Sequence, residues 1–211
     1  MAEMPGKSAL SSPTEKHVRH LARLLDRRTQ LAPLVASAIG GAQTFVLEIG
    51  CGHGHFLTAY ANVHRDELCI GVDIASDRIA RAVRKQERAG LANLHFIRAD
   101  ADLLLDALPS SVAISAVFIL FPDPWPKLRH HKHRIAQAWF LGRLAERLGE
   151  DGRLYFRTDH LPYFESTRTE ISMHPRLVLV EEGWPFECPT VFQNRAVRYY
   201  SLTAKLRPPE A

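Results

Sequence analysis

From residue 45 onward the chain alternates short apolar runs with amphipathic ones, and this alternation constrains the fold more than any other feature. Strands are expected at residues 45–49, 68–73, 95–98, 112–120 and 153–158. Helices are expected at 56–64, at 76–89 with Ser76 as N-cap and Ile79, Ala82 and Val83 facing inward, at 133–148 and at 161–173. Units of this spacing build a parallel α/β sheet with helices on both faces. Residues 177–181 and 196–206 are also strand-like with no helix between them, so a mostly parallel, seven-stranded sheet should end in an antiparallel pair.

The rest of the chain adds less. Residues 1–14 are small, polar and proline-containing, and are read as a flexible arm. Residues 15–40 form a basic helical extension of one or two helices, with Val18, Leu21, Leu24 and Leu25 recurring among Arg19, Arg23, Arg27 and Arg28. The cationic face could touch the phosphates of a nucleic acid, although a charge run on an amphipathic helix is more often just its solvated side. Residues 41–211 then make one domain. Lys and Arg total 27 against 23 Asp and Glu, a formal charge of +4. That mild excess disfavours a strongly cationic substrate and permits an acidic partner such as nucleic acid. Cys51, Cys69 and Cys188 are scattered and odd in number, which argues against a disulfide framework and a four-ligand zinc site. No apolar run has the length of a secretory core or a membrane span. A cytoplasmic protein, monomer or homodimer, without metal or membrane partner, is the expectation.

In a doubly wound sheet, ligands bind at the carboxyl ends of the strands. Four of those ends carry an acid: Glu48 in VLEIGCGHG, Asp73 in IGVDIA, Asp100 in IRADA and Asp123 in FPDPWPK. One such acid is ordinary capping; four facing one crevice are hard to credit to chance. The loop Gly50-Cys51-Gly52-His53-Gly54 follows a strand and opens a helix. Its spacing is GxGxG, and His55 stands where a dinucleotide fingerprint wants its last glycine. Asp73 suits the hydroxyls of an adenosyl ribose, Asp100 an adenine amino group, and Glu48 the cationic amino-acid end of a ligand. Acids at this density repel a pyrophosphate and suit S-adenosylmethionine.

After the fourth strand, Pro122, Pro124 and Pro126 fix a loop that holds Asp123 and Trp125 beside the crevice. Lys127, Arg129, Lys132 and Arg134, with His130, His131 and His133, then form a basic run that suits a phosphate backbone. The segment FPDPWPKLRHHKHR resembles the signature FPDPW-x-K-x-RH-x-K-x-R of the bacterial tRNA (guanine-N7) methyltransferases of the TrmB type. VLEIGCGHGHFL, GVDIA, RTDH and TVFQNR extend the resemblance from about residue 45 to 202.

The resemblance implies a Rossmann-like S-adenosylmethionine-dependent methyltransferase fold, with tRNA as partner and N7 of guanosine 46 in the variable loop as target. It implies that Glu48, Asp73, Asp100 and Asp123 contact cofactor or base, with Gly50, Gly52 and Gly54 at the cofactor. Lys127, Arg129 and Asp159 would meet the substrate, and Thr190 to Gln193 the target guanine. The family pattern there is T-x-x-E; in this chain Gln193 keeps an acceptor oxygen and gives up the charge. N7 carries an in-plane lone pair, so the reaction needs alignment rather than a general base. Asp123 would offset the positive charge left on the base, and Trp125 or Phe192 would stack on it. Alternatives are a related methyltransferase with another substrate, an RNA-binding homologue with weakened catalysis, and a nicotinamide oxidoreductase.

Overall fold

The computed structural model describes residues 15–188, 193 and 196–208; the arm expected over residues 1–14 lies outside them. Seven strands, β1 (Thr44–Ile49), β2 (Cys69–Asp73), β3 (Leu94–Arg98), β4 (Ala113–Leu120), β5 (Leu148–Thr158), β6 (Leu177–Val180) and β7 (Tyr200–Leu206), form one sheet in the order β3-β2-β1-β4-β5-β7-β6. The first five strands pair in parallel. β7 runs antiparallel to both β5 and β6, which is the antiparallel ending the sequence predicts.

Six α-helices cover the sheet: α1 (Glu15–Ile39), α2 (His55–Val63), α3 (Ser76–Ala89), α4 (Ala101–Ala107), α5 (Ala138–Arg147) and α6 (Leu161–Met173). Alternation along β1 divides the core, because successive strand side chains point to opposite faces. Phe45, Leu47 and Ile49 pack with Leu31 and Val35 of α1, Leu104 of α4 and Phe140 of α5. Val46 points the other way, into a cluster of Phe56, Leu57, Phe96, Phe118 and Tyr155 beneath α2 and α3. A fully buried ring such as Phe118 contributes about 1.5–3 kcal/mol through apolar burial. This second face is completed by irregular chain as well as by helix. Phe186 lies 5.8 Å from the Phe56 ring and 5.4 Å from Tyr60, and Trp184 lies 5.6 Å from Tyr155. Among the described residues no helix is long and apolar enough to cross a membrane.

Three local expectations need correction. Ser76 is the first residue of α3, not its cap; Ala75 holds that position without a side-chain bond. The Asp73 carboxylate accepts the Ala75 amide at 2.8 Å, satisfying a donor at the helix start from two residues upstream. The helix expected at 133–148 begins only at Ala138, after a 3-10 helix over Leu128–His133. Gln137 explains the delay: its amide donates to the carbonyls of His131 and Arg134 at 2.9 and 2.8 Å, which ends the preceding turn. Finally, α4 was not expected, because seven residues with three consecutive leucines show no helical period. Its cap is Asp100, whose carboxylate accepts the Asp102 amide at 2.9 Å.

Candidate active site

β1 and β4 are sheet neighbours whose onward connections diverge, one through α2 to β2 and the other through α5 to β5. The crevice between such strands is where open α/β sheets bind ligands. A cavity of about 630 Å³ occupies it, and Glu48, Asp73, Asp100 and Asp123 all line its wall. Gly50, Gly52, Trp125 and Asp159 line it as well. Four acids separated by 75 residues of chain thus meet around one space.

The floor is held by backbone. Gly50 and Cys51 donate their amides to the Val72 carbonyl at 2.8 and 3.0 Å, tying the glycine loop to β2. Gly52 donates to Asp73 Oδ2 at 3.1 Å, so each Asp73 oxygen takes one backbone N–H and keeps a lone pair for a ligand hydroxyl. Arg78 Nη1 stands 3.7 Å from the same carboxylate. Gly54 does not line the cavity; it makes room for the helix behind it. Its φ is +67°, and a Cβ there would lie 2.4 Å from Phe96 Cζ and 2.9 Å from Ala82 Cβ. Gly71 on β2 meets the same ring, with its Cβ position 2.7 Å from Phe96.

Glu48 is the least hydrated of the acids. It sits within β1, buried, and leaves Oε2 without a partner. Burial, with the nearby Asp73 charge adding to it, pushes its pKa up to about 8. A carboxyl of this kind favours its protonated form at neutral pH and becomes a carboxylate when a cation is brought beside it.

The opposite wall is shaped by side chains and strain. Phe121 and Trp125 have φ of 49° and 42°, values that cost non-glycine residues about 1–2 kcal/mol each. Arg134 bridges this loop: its Nε donates to the Pro124 carbonyl at 2.8 Å and its guanidinium lies 4.6 Å above the Tyr163 ring. The sequence grouped Arg134 with the phosphate-facing bases, but it is buried, and its contacts are internal. Lys127 and Arg129 are exposed at the start of the 3-10 helix, outside the cavity wall. The Trp125 ring packs near His133 and His130, at 5.1 and 5.7 Å. Among the described residues no group of three or more His, Cys, Asp or Glu is arranged to hold a metal.

Thr190 and Phe192 lie outside the described residues. Gln193 is bound into a network centred on Arg157, which the sequence places in the RTDH segment without giving it a role. Arg157 is buried between the Trp184 and Tyr199 rings at 3.8 and 4.7 Å. Its Nη1 and Nη2 donate to the two Glu187 oxygens at 3.0 and 2.8 Å, and its Nε to Ser201 Oγ at 2.8 Å. Gln193 Oε1 accepts from Nη1 at 3.3 Å. No periodicity marks such a hub, because its partners come from positions 27 to 44 residues downstream.

The comparisons with known proteins point the same way. The family model described as "Putative methyltransferase" matches residues 42–201. A tRNA (guanine-N(7)-)-methyltransferase of Halorhodospira halophila is 36% identical over 185 residues, covering 82% of this chain and 79% of the relative. One of the same description from Corynebacterium diphtheriae is 35% identical over 153 residues, 72% of this chain and 58% of its own. The chain spans between 56% and 61% of the length of that relative and of those from Corynebacterium efficiens and Nocardia farcinica. Two solved structures share the fold. TrmN from Thermus thermophilus has a TM-score of 0.56 at 17% identity, over 84% of this chain and 48% of that one. NSun6 from Pyrococcus horikoshii has a TM-score of 0.58 at 16% identity, over 85% and 52%.

Proposed function

This chain belongs to the tRNA (guanine-N(7)-)-methyltransferase family, and from that premise we propose that it methylates N7 of a guanosine in tRNA, at position 46 of the variable loop, using S-adenosylmethionine. The observation that carries the reading is the single cavity wall that gathers Glu48, Asp73, Asp100 and Asp123 from four strand ends. Such a wall repels phosphates and attracts a ligand with a cationic end, hydroxyls and an amino-bearing ring. The residues fit the cofactor: the orphaned, buried Oε2 of Glu48 lacks a cation, and Asp73 retains one free lone pair on each oxygen.

When bound, S-adenosylmethionine supplies an electrophilic methyl carbon on a sulfonium. Asp73 would accept from the ribose hydroxyls, Asp100 from the adenine amino group, and Glu48 from the ammonium of the methionine end. Asp123, held by flanking prolines on a loop that Arg134 fixes from behind, lines the cavity and would stand beside the base. A purine N7 carries its own lone pair, so the residues here would have no proton to remove and would instead have to offset the positive charge that methylation leaves on the base. The carboxylate of Asp123 meets that charge as it arrives, and the gain over water is greatest in a site that is already ordered. Alignment does the rest. Trp125 supplies a flat face at the mouth, and Lys127 and Arg129 offer cations to the RNA backbone. A tRNA substrate puts the reaction in the cytoplasm.

The test is direct. Unmodified tRNA is incubated with the protein and methyl-labelled S-adenosylmethionine, and the product is mapped by mass spectrometry. The expected product is N7-methylguanosine at position 46; label confined to small molecules or protein, or no transfer at all, defeats the reading.

A further inference from the structure

We propose that the carboxylate this chain offers to the substrate purine is that of Glu187, with Arg157 as its positioning residue and Gln193 as a neutral brace. The inference rests on the guanosine reading above. Guanine presents N1–H and the 2-amino group on one edge, and two donors side by side are best met by a carboxylate. Position 193 has an amide in place of that charge, and the amide is already engaged: Nε2 donates to Glu187 Oε2 at 3.3 Å and to the Tyr199 hydroxyl at 3.2 Å.

Glu187 supplies what position 193 lacks. Both its oxygens accept from Arg157, and these bonds lower its pKa and favour the ionised form. Oε1 accepts from Nη2 and keeps a lone pair for the 2-amino group, while Oε2 takes both Nη1 and Gln193 Nε2, and the side chain is 53% exposed. Arg157 cannot swing away, being stacked between Trp184 and Tyr199 and bonded to Ser201. The unit also adjoins the cavity. Tyr199 lies 6.1 Å from the ring of Phe121, which lines it, and Asp159, two residues beyond Arg157, lines the same wall.

The geometry explains why position 193 is an amide. A second carboxylate there would stand about 3.3 Å from that of Glu187 with one guanidinium between them, and like charges that close repel. Gln193 instead gives a donor to the acid and an acceptor to the base. The charge has therefore moved six residues along the chain without leaving the network.

Inosine differs from guanosine only by lacking the 2-amino group, which makes the base edge itself the readout. kcat/KM is measured for tRNA carrying guanosine or inosine at the target position, with folding followed by thermal unfolding and cofactor-site integrity by S-adenosylhomocysteine Kd. The natural chain is expected to prefer guanosine by about tenfold or more, as sites built to bond an N–H reject analogues without it. Glu187→Gln should reduce that preference to within about threefold while leaving the S-adenosylhomocysteine Kd unchanged. Adding Gln193→Glu to it should restore the preference, whereas Gln193→Glu alone should lower activity. If Glu187→Gln does not fold, Glu187→Asp, which withdraws the carboxylate by one methylene, should show the same fall. A natural chain indifferent to the 2-amino group, or a variant keeping full preference, overturns the inference. A natural chain that methylates no tRNA guanosine instead overturns the reading beneath it.

Discussion

The two halves of the crevice are built by different means. On the β1–β2 side the wall is a glycine loop whose amides are tied to Val72 and Asp73, with two buried carboxylates, one of them held by two main-chain bonds. On the β4–β5 side they are exposed or half-exposed side chains, on a loop with two left-handed non-glycine residues that a single buried arginine steadies. The first half can recognise one small molecule and tolerates little change. The second can meet a large and flexible surface, and its residues act more nearly one at a time.

That contrast can be broken most severely at Gly54. Gly54→Ala forces a Cβ against Phe96 and Ala82 at a left-handed φ, and a destabilisation of about 3 kcal/mol is expected from overpacking and backbone strain together. Urea unfolding would measure it, and a loss under 1 kcal/mol would mean that the glycine loop is looser than described. On the other side Asp123→Ala should cost turnover about 100-fold, in the range for a lost electrostatic stabiliser, without unfolding the chain. Calorimetry with S-adenosylhomocysteine should find its Kd within about threefold of the natural protein; a parallel collapse of binding would move Asp123 into the first half.

Glu48 provides a pH test of the same division. Its folded-state pKa, pushed up to about 8, lies above the unfolded value near 4.5, so the folded chain holds a proton that the unfolded chain loses. Stability of the empty protein should therefore fall as pH rises from about 4.5 to 8, and Glu48→Gln should flatten that fall. A cationic ligand reverses the preference, so cofactor binding near pH 7 should release about one proton. Calorimetric enthalpies compared in buffers of different ionisation heat would detect it; no buffer dependence would show that Glu48 is already charged. The smallest effect belongs to Lys127 and Arg129. Replacing both with alanine should weaken tRNA binding several-fold and reduce the slope of log affinity against log salt by about 1 to 2. An unaltered slope would assign the phosphate contacts to other cations.

The sequence was most legible where local pattern decides structure. The strands, α6 and the glycine loop follow from apolar runs, turn residues and spacing, and the four acids stood out because they recur at strand ends. It was least legible where long-range partners decide. Arg134 reads as one cation among several, and only the fold shows its guanidinium turned inward to Pro124 and Tyr163. Arg157 stands in the RTDH segment but nothing there names its partner, Glu187 carries no motif, and their bond spans 30 residues. Ser76 looks like a cap by type, yet Asp73, preset for the ligand, already serves the helix start.

Phe96 touches the site only from below, yet one face of its ring fills the places where Gly54 and Gly71 would each carry a side chain. The three positions behave as one heritable locus. Neither glycine can gain a methyl group while the ring is in place, Gly54 being hemmed in by Ala82 as well, and the ring can shrink without leaving a void only if a neighbour grows. Every single step between the present trio and another workable one passes through a clash or a cavity. Drift in this lineage should accordingly change residues 54, 71 and 96 together or leave all three alone.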